Sequence, residues 1–159
     1  KEGQEILGNL LQKSDILVEN FKPGVMEKWG FGESEVKKIN RKIIFARISG
    51  YGQTGPYAKK AGFASVCEAF GGLRFVNGIP GEPPVRPNLS IGDTLAGIHA
   101  ALGILLAIIQ RGKDGDGQTI DVAIFESVFN LIPSATDADN ILPWNVTADA
   151  DKSVCAEAA

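Results

Sequence analysis

The spacing of apolar residues changes several times along the chain, and each change predicts an element. Ile6, Leu7, Leu10 and Leu11 recur at helical spacing between Glu2 and Lys13, an amphipathic pattern. Asp15-Ile16-Leu17-Val18-Glu19 then reads as a short buried strand. A helix followed at once by an apolar strand is an α/β unit. Asn20-Phe21-Lys22-Pro23-Gly24 ends that strand in a loop. Pro23 to Trp29 reads as a short helix stopped by Gly30. Glu33 to Ile39 reads as another, with Glu33 and Glu35 in a first turn that favours anions. Ile43 to Ser49 is the strongest strand signal in the chain.

The second half continues the alternation. Gly50-Tyr51-Gly52-Gln53-Thr54-Gly55-Pro56-Tyr57 predicts a mobile glycine-rich loop. Phe63 to Phe70 reads as a helix stopped by Gly71-Gly72, and Phe75 to Asn77 as a brief extended piece. Gly78 to Asn88 contains Pro80, Pro83, Pro84 and Pro87, which makes it a stiffened loop. It delivers the chain to Gly92-Asp93, the mouth of an apolar helix in which Thr94 to Ile109 carries no charged side chain. Gln110 to Gln118 reads as a polar turn, Thr119 to Ile124 as a strand and Phe125 to Ile132 as a helix. Beyond Pro133 no periodicity survives, and the division expected is 1–132 as a domain segment and 133–159 as a poorly ordered tail.

Composition narrows the class. The chain has 159 residues, 44% of them hydrophobic and 22% charged, enough for one globular domain with a core. A net charge of −3 gives no basic footprint for nucleic acid. Cys67 and Cys155 lie far apart and His99 is the single histidine, so no metal site is expected and both thiols read as reduced. The Leu95–Ile109 run, interrupted by Gly97, His99 and Gly103, is too short to predict a membrane span. The chain opens at Lys1 and enters a helical pattern at once, as the interior of a longer protein would.

Asp93 is the candidate for chemistry. As an N-cap it would accept hydrogen bonds from the first-turn N–H groups. The same N-terminal field complements a negative, nucleophilic carboxylate, so the two roles are compatible. His99 lies six residues on, well over half a turn round the helix, and reads as structural. Gly50, Gly52 and Gly55 satisfy the G-x-G-x-x-G spacing of a dinucleotide site. Pro56 removes an N–H directly after it, no helix pattern follows, and Phe75 and Val76 stand where an acidic ribose partner belongs. The match is therefore rejected.

Four stretches in this order carry a resemblance. They are Val18-Glu19-Asn20-Phe21-Lys22-Pro23-Gly24, Ser49 to Tyr57, Gly92-Asp93 before a small-residue helix, and Gly112-Lys113-Asp114-Gly115-Asp116-Gly117-Gln118 before Ile120-Asp121-Val122. From about Asp15 to Asn130 the chain resembles the class III CoA-transferases, the family of formyl-CoA transferase, carnitine CoA-transferase and α-methylacyl-CoA racemase. The resemblance implies an α/β fold: an incomplete, Rossmann-like segment of the large domain. It also implies an interlocked homodimer at full length and no membrane partner. Asp93 falls on the family's catalytic aspartate, and Asn20, Phe21, Lys22 and Lys28 on its coenzyme A contacts; Gly50, Gly52 and Gly55 form a loop near the site. The implied chemistry moves CoA between small carboxylic acids, dicarboxylates foremost, through an aspartyl-CoA thioester. It uses no metal and no tightly bound cofactor, with the acyl-CoA and a small carboxylate as substrates. The implied compartment is the cytoplasm, or a mitochondrial matrix.

Two departures qualify the resemblance. The racemases carry a His-Asp pair where this chain has Phe63-Ala64, and a phenyl ring exchanges no proton. Racemisation is therefore disfavoured. The segment after Ile132 does not follow the family pattern. A non-catalytic CoA-binding fragment stands as the alternative, and a nucleotide-binding oxidoreductase as the remote one.

Overall fold

The computed structural model describes residues 2–77, 79 and 81–132. The expected 133–159 tail, Cys155, and Gly78 and Pro80 of the proline-rich loop lie outside the described residues. The elements are α1 (Glu2–Leu11), β1 (Ile16–Glu19), α2 (Val25–Lys28), α3 (Glu33–Ile39), β2 (Ile44–Ser49), α4 (Ala64–Phe70), α5 (Leu73–Val76), α6 (Ile91–Asp114), β3 (Thr119–Ala123) and α7 (Ile124–Phe129). The three strands form a parallel sheet in the order β1-β2-β3.

The central strand explains the layers. β2 is bonded on both sides, with Ile44 opposite Ile16 and Ser49 opposite Ala123, so it must bury both faces. This strand and the residue before it face two cores. Ile43 and Phe45 join Leu11, Met26, Phe31 and Val36 from α1, α2 and α3 and the turn after α2. On the other side Ile48 packs with Cys67, Ala96, Ala100 and Val122 under α4 and α6. The result is helices on both faces of a parallel sheet, as the α/β reading expected. Glycines permit the close approaches: a Cβ on Gly117 would lie 1.9 Å from the Ile43 carbonyl oxygen.

Several local expectations are corrected. β1 is not buried: Val18 is 55% exposed, and only Glu19 is fully covered. α2 begins at Val25 rather than Pro23, because Gly24 takes a left-handed φ of 88° that no helix continues through. Phe75 and Val76 belong to α5 rather than to an extended piece. The polar residues from Gln110 to Asp114 are helical, and α6 stops only at Gly115, left-handed at φ 83°, whose N–H bonds to the Arg111 carbonyl. α6 thus reaches 24 residues and is by length and composition apolar enough to cross a membrane. It packs on the sheet through Ala96, Ala100, Ala107 and Gly103, which is how a core helix uses small residues. Ile98, Leu102, Leu105, Leu106 and Ile109 remain exposed.

Candidate active site

Asp93 is an exposed residue in the first turn of α6. It is not the N-cap expected from sequence. The helix starts two residues earlier, Ser90 occupies the cap position, and Asp93 is the third helical residue. The Ser90 carbonyl accepts from the Thr94 N–H and hydroxyl at 3.1 and 2.7 Å. The Asp93 carboxylate is thus left outward, on the positive end of a long helix.

Gly92 lets this turn sit down. A Cβ there would come within 3.1 Å of Ile124 and 3.2 Å of the Glu68 side chain. Its N–H donates to Glu68 Oε1 at 3.1 Å. Glu68 is fully buried, and its other oxygen accepts from Arg86 Nε at 2.8 Å. Burial alone would raise the Glu68 pKa. The Arg86 and Gly92 hydrogen bonds outweigh it and hold the carboxyl below the ordinary glutamate range. Arg86 projects from the proline-rich loop and keeps 39% of its side chain exposed. The neighbouring Cys67 is also buried, and its thiol donates to the Gly50 carbonyl at 3.3 Å. Burial, reinforced by the charges of Asp93 and Glu68, pushes that thiol up to about 11, so it stays protonated and unreactive at neutral pH.

A second centre forms at the end of β1. Arg47 stands in the middle of the apolar β2 strand, almost fully buried. Its Nε donates to Glu19 Oε1 at 2.7 Å, and its terminal nitrogens donate to both oxygens of Glu27 on α2 at 2.7 and 3.2 Å. Burial disfavours its charge, but the two carboxylates more than compensate and raise its pKa above the ordinary value. Glu19 also accepts from the Phe21 N–H at 2.8 Å. One ion-pair network therefore fixes the turn holding Asn20, Phe21 and Lys22, all exposed, and the short helix holding Lys28, also exposed. Phe21 and Trp29 meet edge to face with ring centroids 5.0 Å apart.

The glycine-rich loop follows β2. No helix opens on it, in keeping with the rejected dinucleotide match; Gly52 and Gly55 have positive φ, and α4 begins only at Ala64. The loop packs against its surroundings. Tyr51 and Tyr57 pack on Phe70, Tyr51 also meets Phe125, and the Gln53 N–H donates to Asp121 at 2.8 Å. Gly50 lies against Gly62, where a Cβ would be 2.6 Å from the Gly62 Cα.

All three parallel strands end on the same edge, so the Asn20 turn, the Gly50 loop and the Asp93 turn share it. Gly50 and Asp93 are brought together through Cys67; the Asn20 turn is held separately by Glu19. A cleft of about 630 Å³ is lined by His99, Asp121, Glu126, Ser127 and Asn130 and does not include Asp93. His99 Nδ1 lies 2.9 Å from the Leu95 carbonyl, the structural role expected of it. Sequence reasoning missed Arg47, Glu68 and Arg86. An arginine inside an apolar strand was the available signal for the first.

The sequence model of CoA-transferase family III matches residues 1–148, which corrects the expected span of about Asp15 to Asn130: the match begins earlier and continues past Ile132. The chain is 48% identical over 133 residues to a succinyl-CoA–D-citramalate CoA-transferase of Chloroflexus aurantiacus, covering 84% of this chain and 33% of the relative. It is 45% identical over 139 residues to a succinyl-CoA–L-malate CoA-transferase alpha subunit from Chloroflexus aurantiacus, covering 87% and 32%. A formyl-CoA:oxalate CoA-transferase of Streptomyces coelicolor is 40% identical over 131 residues, covering 82% and 32%. The fold is similar to the crystal structure of a CAIB/BAIF family protein from Brucella suis. The TM-score is 0.81 at 34% identity, over 88% of this chain and 36% of that one. The chain spans about a third of the length of the curated relatives it matches.

Proposed function

The chain belongs to CoA-transferase family III, and on that premise we propose that it carries the nucleophile of an enzyme moving CoA between small dicarboxylic acids. The observation that carries this reading is Asp93: an exposed carboxylate in the first turn of α6, on the edge where the parallel strands end. The named substrates of the Chloroflexus relatives, succinyl-CoA with citramalate or malate, support dicarboxylates as the class.

In the proposed cycle the Asp93 carboxylate attacks the donor acyl-CoA carbonyl, forms a mixed anhydride and releases CoA thiolate. The thiolate attacks the aspartyl carbonyl, giving an aspartyl-CoA thioester and free donor acid. The acceptor carboxylate then attacks that thioester, expelling thiolate and forming a second anhydride. Thiolate attack on the acceptor carbonyl yields the new acyl-CoA and restores Asp93. No proton is consumed and no redox change occurs, so the cycle balances with the donor thioester, the acceptor acid and the Asp93 carboxylate. Lys22 and Lys28 supply positive charge for the CoA phosphates, with Asn20 and Phe21 beside them. Phe63, 61% exposed at the start of α4, offers no proton-transfer group, which argues against racemisation. A cytoplasmic homodimer of the full-length chain is the setting proposed.

The test is peptide mass spectrometry on the full-length protein after incubation with succinyl-CoA and hydroxylamine. The expected result is a hydroxamate on Asp93, with Asp93→Ala losing on the order of a thousandfold or more in kcat while retaining CoA binding. An unmodified Asp93 with CoA bound would favour a binding-only role.

A further inference from the structure

Glu68 poses a question that the covalent cycle does not answer. It is 0% exposed and cannot touch substrate, yet it is a carboxylate rather than an amide. The Gly92 N–H needs only an acceptor, which a glutamine carbonyl would supply. The charge is matched instead by Arg86, whose Nε is fixed at 2.8 Å from Glu68. Pro83, Pro84 and Pro87 flank that arginine and restrict its backbone. Among the described residues the terminal nitrogens of Arg86 donate to no other group, and its side chain stays partly open to solvent. Arg74, the other guanidinium near Glu68, donates one terminal nitrogen to the Ser65 hydroxyl, and its Nε is buried without a partner among the described residues, so Arg86 is the one that meets solvent. Asp93 is close enough for its charge to act on Arg86 as well as on Cys67.

We infer that Arg86, held by Glu68 beside the Asp93 turn, receives the distal carboxylate of the dicarboxylyl group being transferred. This rests on the transferase reading above and names a specificity residue for it. A guanidinium anchored through Nε still presents an edge with two N–H groups, the geometry that matches a carboxylate. Because the loop and the bond to the buried Glu68 hold that edge in place, little ordering remains to be done on binding. A monocarboxylic acyl group of the same length puts a methyl group there and leaves Arg86 without an anion. Glu68 is a positioning residue in this scheme, acting through Arg86 and the Gly92 backbone.

The experiment follows hydroxylamine trapping at Asp93 in the full-length protein with succinyl-CoA and with butyryl-CoA. Wild type traps succinyl-CoA faster. Arg86→Gln is expected to lower the succinyl rate roughly ten- to a hundredfold, the range for a charged hydrogen bond, chiefly through KM, and to leave the butyryl rate within about twofold. Arg86→Lys restores part of the preference. Glu68→Gln, which keeps an acceptor for Gly92, reproduces the Arg86→Gln pattern more weakly. Equal losses on both thioesters, an unchanged preference in Arg86→Gln, or a failure of Arg86→Lys to restore it would overturn the assignment while the transferase reading stands. An Asp93 that traps neither thioester in wild type overturns both.

Discussion

The Arg47 and Glu68 centres are built from the same parts and finished differently. Each is a charged side chain with almost no exposure, and each ties an otherwise separate segment to the sheet edge. Arg47 has a partner at each nitrogen: Glu19 is as buried as it is, and Glu27, whose own side chain is half exposed, takes both terminal nitrogens. Glu68 is half closed: one oxygen holds the backbone of α6, and the other holds an arginine that still faces solvent. The difference teaches which of the two can meet a ligand. A guanidinium that spends all three of its nitrogens on carboxylates holds shape, whereas one that leaves its terminal nitrogens open can also recognise.

The sharpest way to break the contrast is at Arg47. Arg47→Met removes the cation and leaves Glu19 buried without its counter-charge. The expected cost is about 3–5 kcal/mol, read as a lower urea midpoint with unchanged slope. Glu19→Gln in the same chain should recover part of it, since the orphaned charge is then gone. A loss under roughly 1 kcal/mol would mean that water reaches the network and that it is not closed.

Acid probes the same contrast more gently. Arg47 lowers the Glu27 pKa by hydrogen bonding, and Arg86 and Gly92 lower that of Glu68 against its burial. A carboxyl with a lowered folded pKa stabilises only when ionised. Its contribution is full above the unfolded pKa and is lost as pH falls through the folded value. The stability gap between wild type and Glu68→Gln should therefore be flat at neutral pH and shrink below the ordinary glutamate pKa of about 4.3. Urea unfolding at a series of pH values measures it. A gap that closes near pH 7 would point to some group other than Glu68.

What the sequence made legible follows from the range of the interactions involved. β2 and α3 are written in local pattern, a β-branched and aromatic run and acidic residues before basic ones, whereas the start of α6 was read two residues late, with Gly92 and Asp93 inside its first turn. The end of α6 was placed too early because the polar, glycine-bearing stretch from Gln110 suggested a turn, although it contains Arg111 and Lys113. They suit the C-terminus of a helix, and Arg111 there bonds the Lys42 carbonyl and Asp15. β1 misled because its apolar residues suggested burial. Its neighbour β2 covers only one of its edges among the described residues, and Val18 stays open. The candidate site has two sources. Asp93 and the Asn20 turn came from motif order, but the pairs that position them join residues 18 to 28 apart in sequence. No local period reports such pairs.

The smallest effect tests how tightly Glu68 is coupled to the helix it supports. Gly92→Ala places a methyl group 3.1 Å from Ile124 and 3.2 Å from the Glu68 side chain, tight contacts that oblige a neighbour to yield slightly. A glycine-to-alanine change within a helix otherwise gains about 1 kcal/mol. Gly112→Ala, at the other end of α6 with open space around it, should show that gain alone. At position 92 the contact offsets the gain, and the net stability change should stay within about 1 kcal/mol of zero. The preference for succinyl-CoA should nevertheless fall, because the side chain that yields is the one orienting Arg86. If Gly92→Ala stabilises as much as Gly112→Ala and keeps the preference, Ile124 has yielded instead. Glu68 would then owe its position to Arg86 rather than to the turn that carries Asp93.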